Sequence, residues 1–309
     1  MDMVTIVMTT YNGEKYVGEQ IDSILSASYH DTLLYIYDDG SKDNTMPILQ
    51  EYKKQFPDKI HVYQNEVNLG VTNNFLHAVC QTTTDYVMLC DQDDVWKADK
   101  IALTLKRMRH METQRGKDTP LAVFTDAVVV DRDLNVLKDS FFKSGHLNPA
   151  KIDLPHLLME NKLIGCTVMI NSSLRKILQN HSLPEKARFH DGWLALIATS
   201  FGRIGYINEG TLLYRQHGGN IVGNTGFLFY IKSRISSLRK QKEALLSLQD
   251  QAGEFSAIYG DLLTEEKRII INQFANLSKI GFIKRRRQIL HYGFLKTGII
   301  RNIGLMFIA

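Results

Sequence analysis

The chain has 309 residues, 44% of them hydrophobic and 23% charged, the balance of a globular protein with core enough for one large domain or two modest ones. Its three cysteines, Cys80, Cys90 and Cys166, are odd in number and lack metal-type spacing, which argues against a disulfide framework and for a reducing, cytosolic setting. The net charge of +4 is uneven: residues 226–309 carry 14 Lys+Arg against 6 Asp+Glu, and residues 1–225 carry 23 against 27. This divides the chain into an acidic unit of residues 1–225 and a basic unit of residues 226–309. An acidic main unit and a basic tail without a recognition motif argue against a nucleic-acid partner.

The chain starts on a strand, Val4–Met8, with no basic leader ahead of it, so no signal peptide is expected. Apolar residues Tyr16, Val17, Ile21, Ile24 and Leu25 then recur at helical spacing over residues 14–28. Leu33–Tyr37 is the second strand, and Ser41 is the expected cap of a helix from about Asp43 to Phe56. A short strand follows at Ile60–Tyr63, a helix after Gly70, a strand at Tyr86–Cys90 and a helix from Lys97 to about Met111. Leu121–Thr125 is a further strand, and residues 128–130 and 135–137 pattern as a hairpin. Residues 139–163 are loop-rich, Cys166–Ile170 is expected to return to the sheet, and Ser172 opens a helix. Residues 193–201 are expected to be helical, with two short strands at 204–207 and 212–214. Alternating strands and helices of this kind predict an α/β fold with a mixed, mostly parallel sheet.

Chemistry gathers at three strand ends. Tyr86–Cys90 runs straight into Asp91-Gln92-Asp93-Asp94, three carboxylates in four residues. They repel one another and are costly to bury unpaired, so the cluster asks for a hard divalent cation such as Mg²⁺ or Mn²⁺, which commonly bridges to substrate phosphates. The second strand ends in Asp38-Asp39-Gly40-Ser41 and the first in Thr9-Thr10-Tyr11-Asn12-Gly13. In open α/β sheets, ligands collect at these carboxyl ends.

The basic unit reads as helical. Lys232, Arg234, Arg239, Lys240 and Lys242 stud the first stretch, Lys284-Arg285-Arg286-Arg287 follows, and residues 298–308 are largely apolar. Basic residues beside apolar helical surface suit an anionic membrane face, with an oligomer contact as the alternative. No run of eighteen uncharged apolar residues occurs, so no membrane-spanning helix is expected.

In order, TTYNGEKYV (9–17), DDGSKDNT (38–45), NLGVTNNF (68–75), DQDDVW (91–96), HDGW (190–193) and YRQHGGN (214–220) resemble the motifs of the family 2 inverting glycosyltransferases, over about residues 1–225. The DQDDVW and YRQHGGN versions look most like bacterial rhamnosyltransferases that build cell-wall or capsular polysaccharide. The resemblance implies a GT-A fold, Rossmann-like, with the tail as a C-terminal helical extension. It places Thr9 and Tyr11 beside the nucleotide base and Asp39 on the base's imide N–H, a donor that a carboxylate suits. Asp38 reads as a turn residue. Asp93 becomes the metal ligand of the DXD motif, Asp91 the partner of the ribose or of a metal-bound water, and Asp94 a supporting residue or helix cap. His217 falls where related enzymes place a late metal-binding histidine. Arg215 either touches the diphosphate or anchors its strand by a salt bridge. Asp191 is implied as the base that takes the acceptor hydroxyl's proton. The family usually has Glu before that Asp, and here His190 stands there. Trp193 either packs beneath the acceptor sugar or fills the core.

The resulting expectation is metal-dependent, inverting transfer from a nucleotide-diphosphate sugar to a glycan or lipid-linked saccharide at the inner face of the cytoplasmic membrane. dTDP-L-rhamnose is the first donor choice, with UDP-glucose, UDP-galactose and UDP-N-acetylglucosamine as alternatives. A nucleotidylyltransferase would want a glycine-rich phosphate loop where TTYNGEK stands, and a dinucleotide oxidoreductase a G-x-G-x-x-G that is absent. An inactive glycan-binding scaffold would be expected to have lost carboxylates, yet Asp39, Asp91, Asp93 and Asp191 are all present.

Overall fold

The computed structural model describes residues 2–216 and 238–309. One sheet organises the fold. Its strands are β1 (Val4–Thr10), β2 (Thr32–Asp38), β3 (Ile60–Gln64), β4 (Tyr86–Cys90), β5 (Val95–Trp96), β6 (Leu121–Val130), β7 (Val136–Lys138), β8 (Met169–Asn171) and β9 (Arg203–Arg215), in spatial order β3-β2-β1-β4-β8-β6-β9-β5, with β7 on β6. β3, β2, β1 and β4 are mutually parallel, β8 runs antiparallel between β4 and β6, and β9 returns parallel to β6. Every residue of β1 and β4 is buried, as expected of inner parallel strands covered on both faces.

The helices of the main unit are α1 (Val17–Leu25), α2 (Thr45–Gln55), α3 (Gly70–Cys80), α4 (Lys100–Arg115), α5 (Phe141–Ser144), α6 (Leu154–Met159), α7 (Ser172–Gln179) and α8 (His190–Phe201). Four more follow: α9 (Leu238–Tyr259), α10 (Glu265–Ala275), α11 (Phe282–Tyr292) and α12 (Ile299–Ile308). These last helices join the main core. Phe255 and Tyr259 of α9 close over Trp193 of α8 with ring centroids 5.2 and 6.0 Å away, and all three side chains are fully buried.

Three local expectations change. Ser41 does not cap α2, which starts at Thr45; its hydroxyl donates to Asp38 Oδ2 (2.5 Å) and accepts from Asn12 N (2.8 Å), tying two loops together. The strand expected at Cys166–Ile170 is a 3₁₀ turn over Gly165–Thr167, because the Thr167 hydroxyl bonds the Ile164 carbonyl, and β8 is confined to Met169–Asn171. The two strands expected at 204–207 and 212–214 are one strand, β9, whose register against β6 shifts between Thr125 and Val128. Gly210 sits at that shift, where a Cβ would meet Val128 Cγ2 at 2.9 Å. The hairpin forms as expected, Val130 facing Val136.

Candidate functional site

The loops after β1, β2 and β4 meet at one edge of the sheet because their strands are parallel neighbours. Asp38 closes the second loop on itself. It is fully buried, and its carboxylate accepts from Gly40 N, Ser41 N, Ser41 Oγ and Thr10 Oγ1. Asp39 is 4% exposed; its Oδ1 accepts from Leu69 N and Asn65 Nδ2, and its Oδ2 from Gly70 N, each at 2.8 Å. A carboxylate has about four acceptor positions, so Asp39 fixes the start of α3 and retains acceptor capacity on Oδ2. Thr9 is buried in β1, and Tyr11 is half-exposed beyond it.

Gln92, the middle residue of the acidic segment, was not singled out from sequence. Its Oε1 accepts from Tyr11 N (2.9 Å) and its Nε2 donates to Tyr11 O (3.1 Å), clasping the first loop to the acidic one. Gly13 makes room for it, since a Cβ there would lie 2.2 Å from Gln92 Oε1.

Beneath the acidic loop, ligand-capable atoms of Asp91, Asp94 and Cys166 lie within 4.8 Å of one another. Burial, then the neighbouring carboxylates, pushes the Asp91 carboxyl well up and that of Asp94 up to about 7, with hydrogen bonds from Cys166 opposing both shifts. Burial also raises the Cys166 thiol far above its ordinary value, so it stays protonated. A buried S–H between two carboxylates serves them as a donor, and a protonated soft thiol is a poor ligand for a hard ion. The carboxylates that the structure brings together for a divalent cation are Asp91 and Asp94, with the Cys166 thiol beside them. The carboxylate of Asp93 lies outside the tight group, yet close enough to raise both of its neighbours. His217 lies outside the described residues.

Two cations brace the loop from below. Lys100 is fully buried, its ammonium 4.7 Å from the Trp96 ring; burial lowers it to about 8, against the pull of Asp94. Arg215 has a side chain only 2% exposed. Its Nε donates to Asp93 O (2.8 Å), its Nη1 to Arg132 O (2.6 Å) and its Nη2 to Glu19, while its backbone N bonds Asp94 Oδ1 (3.1 Å). Of the two roles open to Arg215, strand anchoring is the one this geometry displays, and a diphosphate contact is not supported.

Asp191 stands in the first turn of α8. Burial pushes its carboxyl up to about 7, against hydrogen bonds from Gly192 N, Asn161 and Gly165 N. It is also near enough to Asp91 to raise that carboxyl, which places it beside the acidic loop. A carboxylate poised near neutral pH has the basicity a general base needs. His190, its neighbour, approaches Gly165 as Asp191 does. Its ring stacks on Phe75 at 4.0 Å, and burial lowers it to about 3, so it is a neutral packing group at physiological pH. Trp193 is fully buried against Phe255 and Tyr259, which corrects the acceptor-platform alternative in favour of the core.

Next to Asp191 opens a cleft of about 270 Å³ between α6, α8, α9 and α12, lined among others by Asn161, Gly192, Arg188, Lys296 and Arg301. One wall is held by Glu160, which pairs with Lys162 and with Arg301 Nη2 (2.5 Å) and accepts from Thr297 N (3.0 Å). Burial alone would raise Glu160; Lys162 and Arg301 outweigh it and hold its carboxyl below the ordinary range.

A curled, mostly parallel sheet with its functional loops at one edge is the GT-A architecture. The chain resembles S. aureus TarS residues 1–349 (TM-score 0.56, 16% identity, 93% of this chain and 78% of that one). It also resembles a Pyrobaculum calidifontis mannosyltransferase in complex with GDP-Man and Mn²⁺ (TM-score 0.57, 16%, 94% and 73%). Residues 5–115 match the family described as Glycosyl transferase family 2, which identifies that segment as a family 2 glycosyltransferase domain. A relative named "dTDP-rhamnosyl transferase RfbG", from Shigella flexneri, is 28% identical over 70% of this chain and 73% of its own length. The "Putative teichuronic acid biosynthesis glycosyltransferase TuaG" of Bacillus subtilis is 29% identical over 72% and 82%.

Proposed function

We propose that the chain transfers a sugar, with inversion, from a nucleotide-diphosphate sugar to a hydroxyl of a growing cell-surface polysaccharide or lipid-linked glycan. The observation that carries this reading is the position of Asp191, a buried carboxylate beside the acidic loop and at the edge of a cleft, pushed up to about 7 by burial. The loops after β1 and β2 receive the nucleotide, with Thr9 and Tyr11 beside the base and Asp39 Oδ2 accepting its imide N–H. Asp91 and Asp93 are the carboxylates that would hold Mn²⁺ or Mg²⁺, with His217 as a further candidate. The cation would supply Lewis-acid stabilisation of the leaving diphosphate. Asp191 takes the proton from the acceptor hydroxyl as that oxygen attacks the anomeric carbon from the side opposite the diphosphate.

dTDP-L-rhamnose is the first donor choice, supported by the relative from Shigella flexneri; the UDP-sugars named above are the alternatives. The test is hydrolysis of a nucleotide-sugar panel by the purified protein with Mn²⁺ or Mg²⁺ and with EDTA. Turnover of dTDP-L-rhamnose, abolished by EDTA and by Asp93→Ala, supports the reading. Turnover of a UDP-sugar alone replaces the donor. A folded protein that binds no nucleotide sugar or nucleoside diphosphate with metal present refutes it, and leaves the scaffold reading.

We also assign the tail to the inner membrane surface. Phe282, Ile283 and Leu290 of α11 and Ile299, Ile300, Ile303 and Phe307 of α12 are each more than half exposed, with Lys284, Arg286 and Arg287 on α11. Apolar side chains flanked by cations suit an anionic bilayer interface. Among the described residues no helix is long and apolar enough to cross a membrane. Co-sedimentation with phosphatidylglycerol vesicles should fall at least tenfold in an Ile300→Ser/Ile303→Ser/Phe307→Ser variant. A concentration-dependent dimer without vesicle binding would assign the same face to a second copy instead.

A further inference from the structure

The cleft beside Asp191 has a chemical bias that the proposed transfer does not by itself require. Arg188, Lys296 and Arg301 line it against one carboxylate, Glu160. Glu160 is already committed to Lys162 and Arg301. Arg188 is different. It is half-buried, three residues ahead of Asp191, and no carboxylate pairs with it among the described residues. Its backbone is pinned on both sides: its N–H bonds Gln251 Oε1 of α9 (2.9 Å), and its carbonyl accepts from Thr72 Oγ1 of α3 (3.4 Å). A partly desolvated guanidinium on a fixed backbone is an anion site, because its planar fork matches two oxygens of a phosphate at once. Leu157, Met159, Leu245 and Leu248 supply an apolar wall to the same cleft.

The cleft is also shared between the two halves of the chain. Arg188 comes from the segment leading into α8, whereas Lys296 and Arg301 come from the loop before α12 and from α12 itself. On α12, Arg301 turns inward to Glu160 while Ile300, Ile303 and Phe307 face outward. A molecule held in the cleft thus lies between the base and the apolar surface assigned above to the membrane.

We propose that this cleft is the acceptor site and that it selects acceptors carrying a phosphate ester close to the reacting hydroxyl, with Arg188 as the principal phosphate anchor. The proposal rests on the transferase reading, since it uses Asp191 as the base that faces the acceptor. Two sources share this chemistry: the diphosphate linker of a lipid-carried saccharide and the phosphodiester backbone of a polymer.

The test is calorimetric titration of the full chain with Mn²⁺ and a saturating nucleoside diphosphate, so that the donor site is filled. The probes are octyl diphosphate, a glycerol phosphate tetramer and, as the neutral control, octyl glucoside. At least one phosphate probe should bind. Arg188→Gln should weaken it tenfold or more, Arg188→Lys should recover part of that loss, and octyl glucoside should not distinguish the variants. Lys296→Gln, at the opposite wall, should weaken the same probe severalfold and stands in if Arg188→Gln does not fold. Preference for octyl diphosphate identifies the lipid-carrier source; preference for the tetramer identifies the polymer. If the nucleoside diphosphate binds but no phosphate probe does, or if Arg188→Gln and Lys296→Gln both bind it as the wild type does, the proposal is overturned and the transferase reading survives. If the nucleoside diphosphate itself fails to bind, the transferase reading falls and this proposal falls with it.

Discussion

Removing the charge of Asp94 should make the metal-free protein more stable at alkaline pH, although the residue belongs to the acidic loop that defines the site. Asp94 is 1% exposed, and its carboxyl is displaced from 3.8 to about 7 by burial and by Asp93. At about 1.4 kcal/mol per pH unit, the folded protein favours the protonated form by roughly 4 kcal/mol at the limit. The folded state therefore holds a proton that the unfolded chain releases near pH 4. That contribution is complete below the unfolded value and disappears as pH rises through about 7. From pH 5 to pH 8 the wild type in EDTA should lose on the order of 2 kcal/mol from this group alone, seen as a Tm lower by several degrees. Asp94→Asn retains an oxygen for Arg215 N and has no charge to bury. It should match the wild type near pH 5 and exceed it at pH 8 by about 1–3 kcal/mol, the discount allowing for relaxation around the ion. The assay is urea unfolding at the two pH values, each with EDTA and with Mn²⁺. Mn²⁺ should narrow the gap at pH 8 by stabilising the ionised wild type. An Asp94→Asn protein less stable than the wild type at pH 8 in EDTA, with the pH slope intact, would refute the reasoning.

Asp191, the proposed base, should show the opposite dependence in catalysis. Asp191 must be deprotonated to accept a proton, so transfer rate should rise with pH through about 7, and Asp191→Asn should lower kcat by about 10²–10⁴ while nucleotide affinity is kept. Gly13→Ala should push Gln92 from its clasp on Tyr11, raising the donor KM severalfold at a stability cost of only about 1–2 kcal/mol for the two hydrogen bonds; donor titration and thermal melting separate the two effects. Gly202→Ala should be far harsher, because a Cβ there would stand 1.7 Å from the Pro120 carbonyl oxygen, backbone that cannot swing aside; loss of folded protein in a thermal melt is the expected outcome. Glu160→Ala should leave Lys162 and Arg301 buried against each other at a cost of about 3–5 kcal/mol, and limited proteolysis should then cut first around α12.

The parts of this fold that were legible in the sequence are those set by local pattern. β1, β2 and β4 are apolar runs ending in polar turns, and parallel pairing of such runs brings their ends to one edge. The positions of Asp38, Asp39 and the acidic segment followed from that alone. What stayed hidden depends on contacts distant in sequence. Cys166 is one apolar residue in an apolar stretch, and only the 3₁₀ turn at 165–167 puts its thiol between Asp91 and Asp94. Gln92 looked like a spacer in DXD, and its clasp on Tyr11 spans 81 residues. The joining of β9 into one strand was masked by Gly210, which reads as a break in sequence and acts as a bulge in the sheet. Arg188 was available as a signal three residues before Asp191, but that no carboxylate pairs with it among the described residues is visible only once α3, α6, α8 and α9 are packed around it.

The C-terminal helices connect these observations to function. A basic, partly apolar tail could have been an appendage, joined by a linker and free to sit anywhere. Instead Phe255 and Tyr259 complete the core over Trp193, one turn or less from Asp191 on α8. Glu160 locks the segment before Asn161, a hydrogen-bond partner of Asp191, to α12 through Arg301. The apolar outer face of α12 and Asp191, the proposed base, therefore belong to one packed assembly. If α12 rests on a bilayer, the reach from bilayer to Asp191 is set by the packing of the described helices α9 and α12 on the main core. An acceptor held by a lipid would then present its hydroxyl at a fixed height, and selection of that hydroxyl would follow from the depth of the cleft as much as from contacts to the sugar.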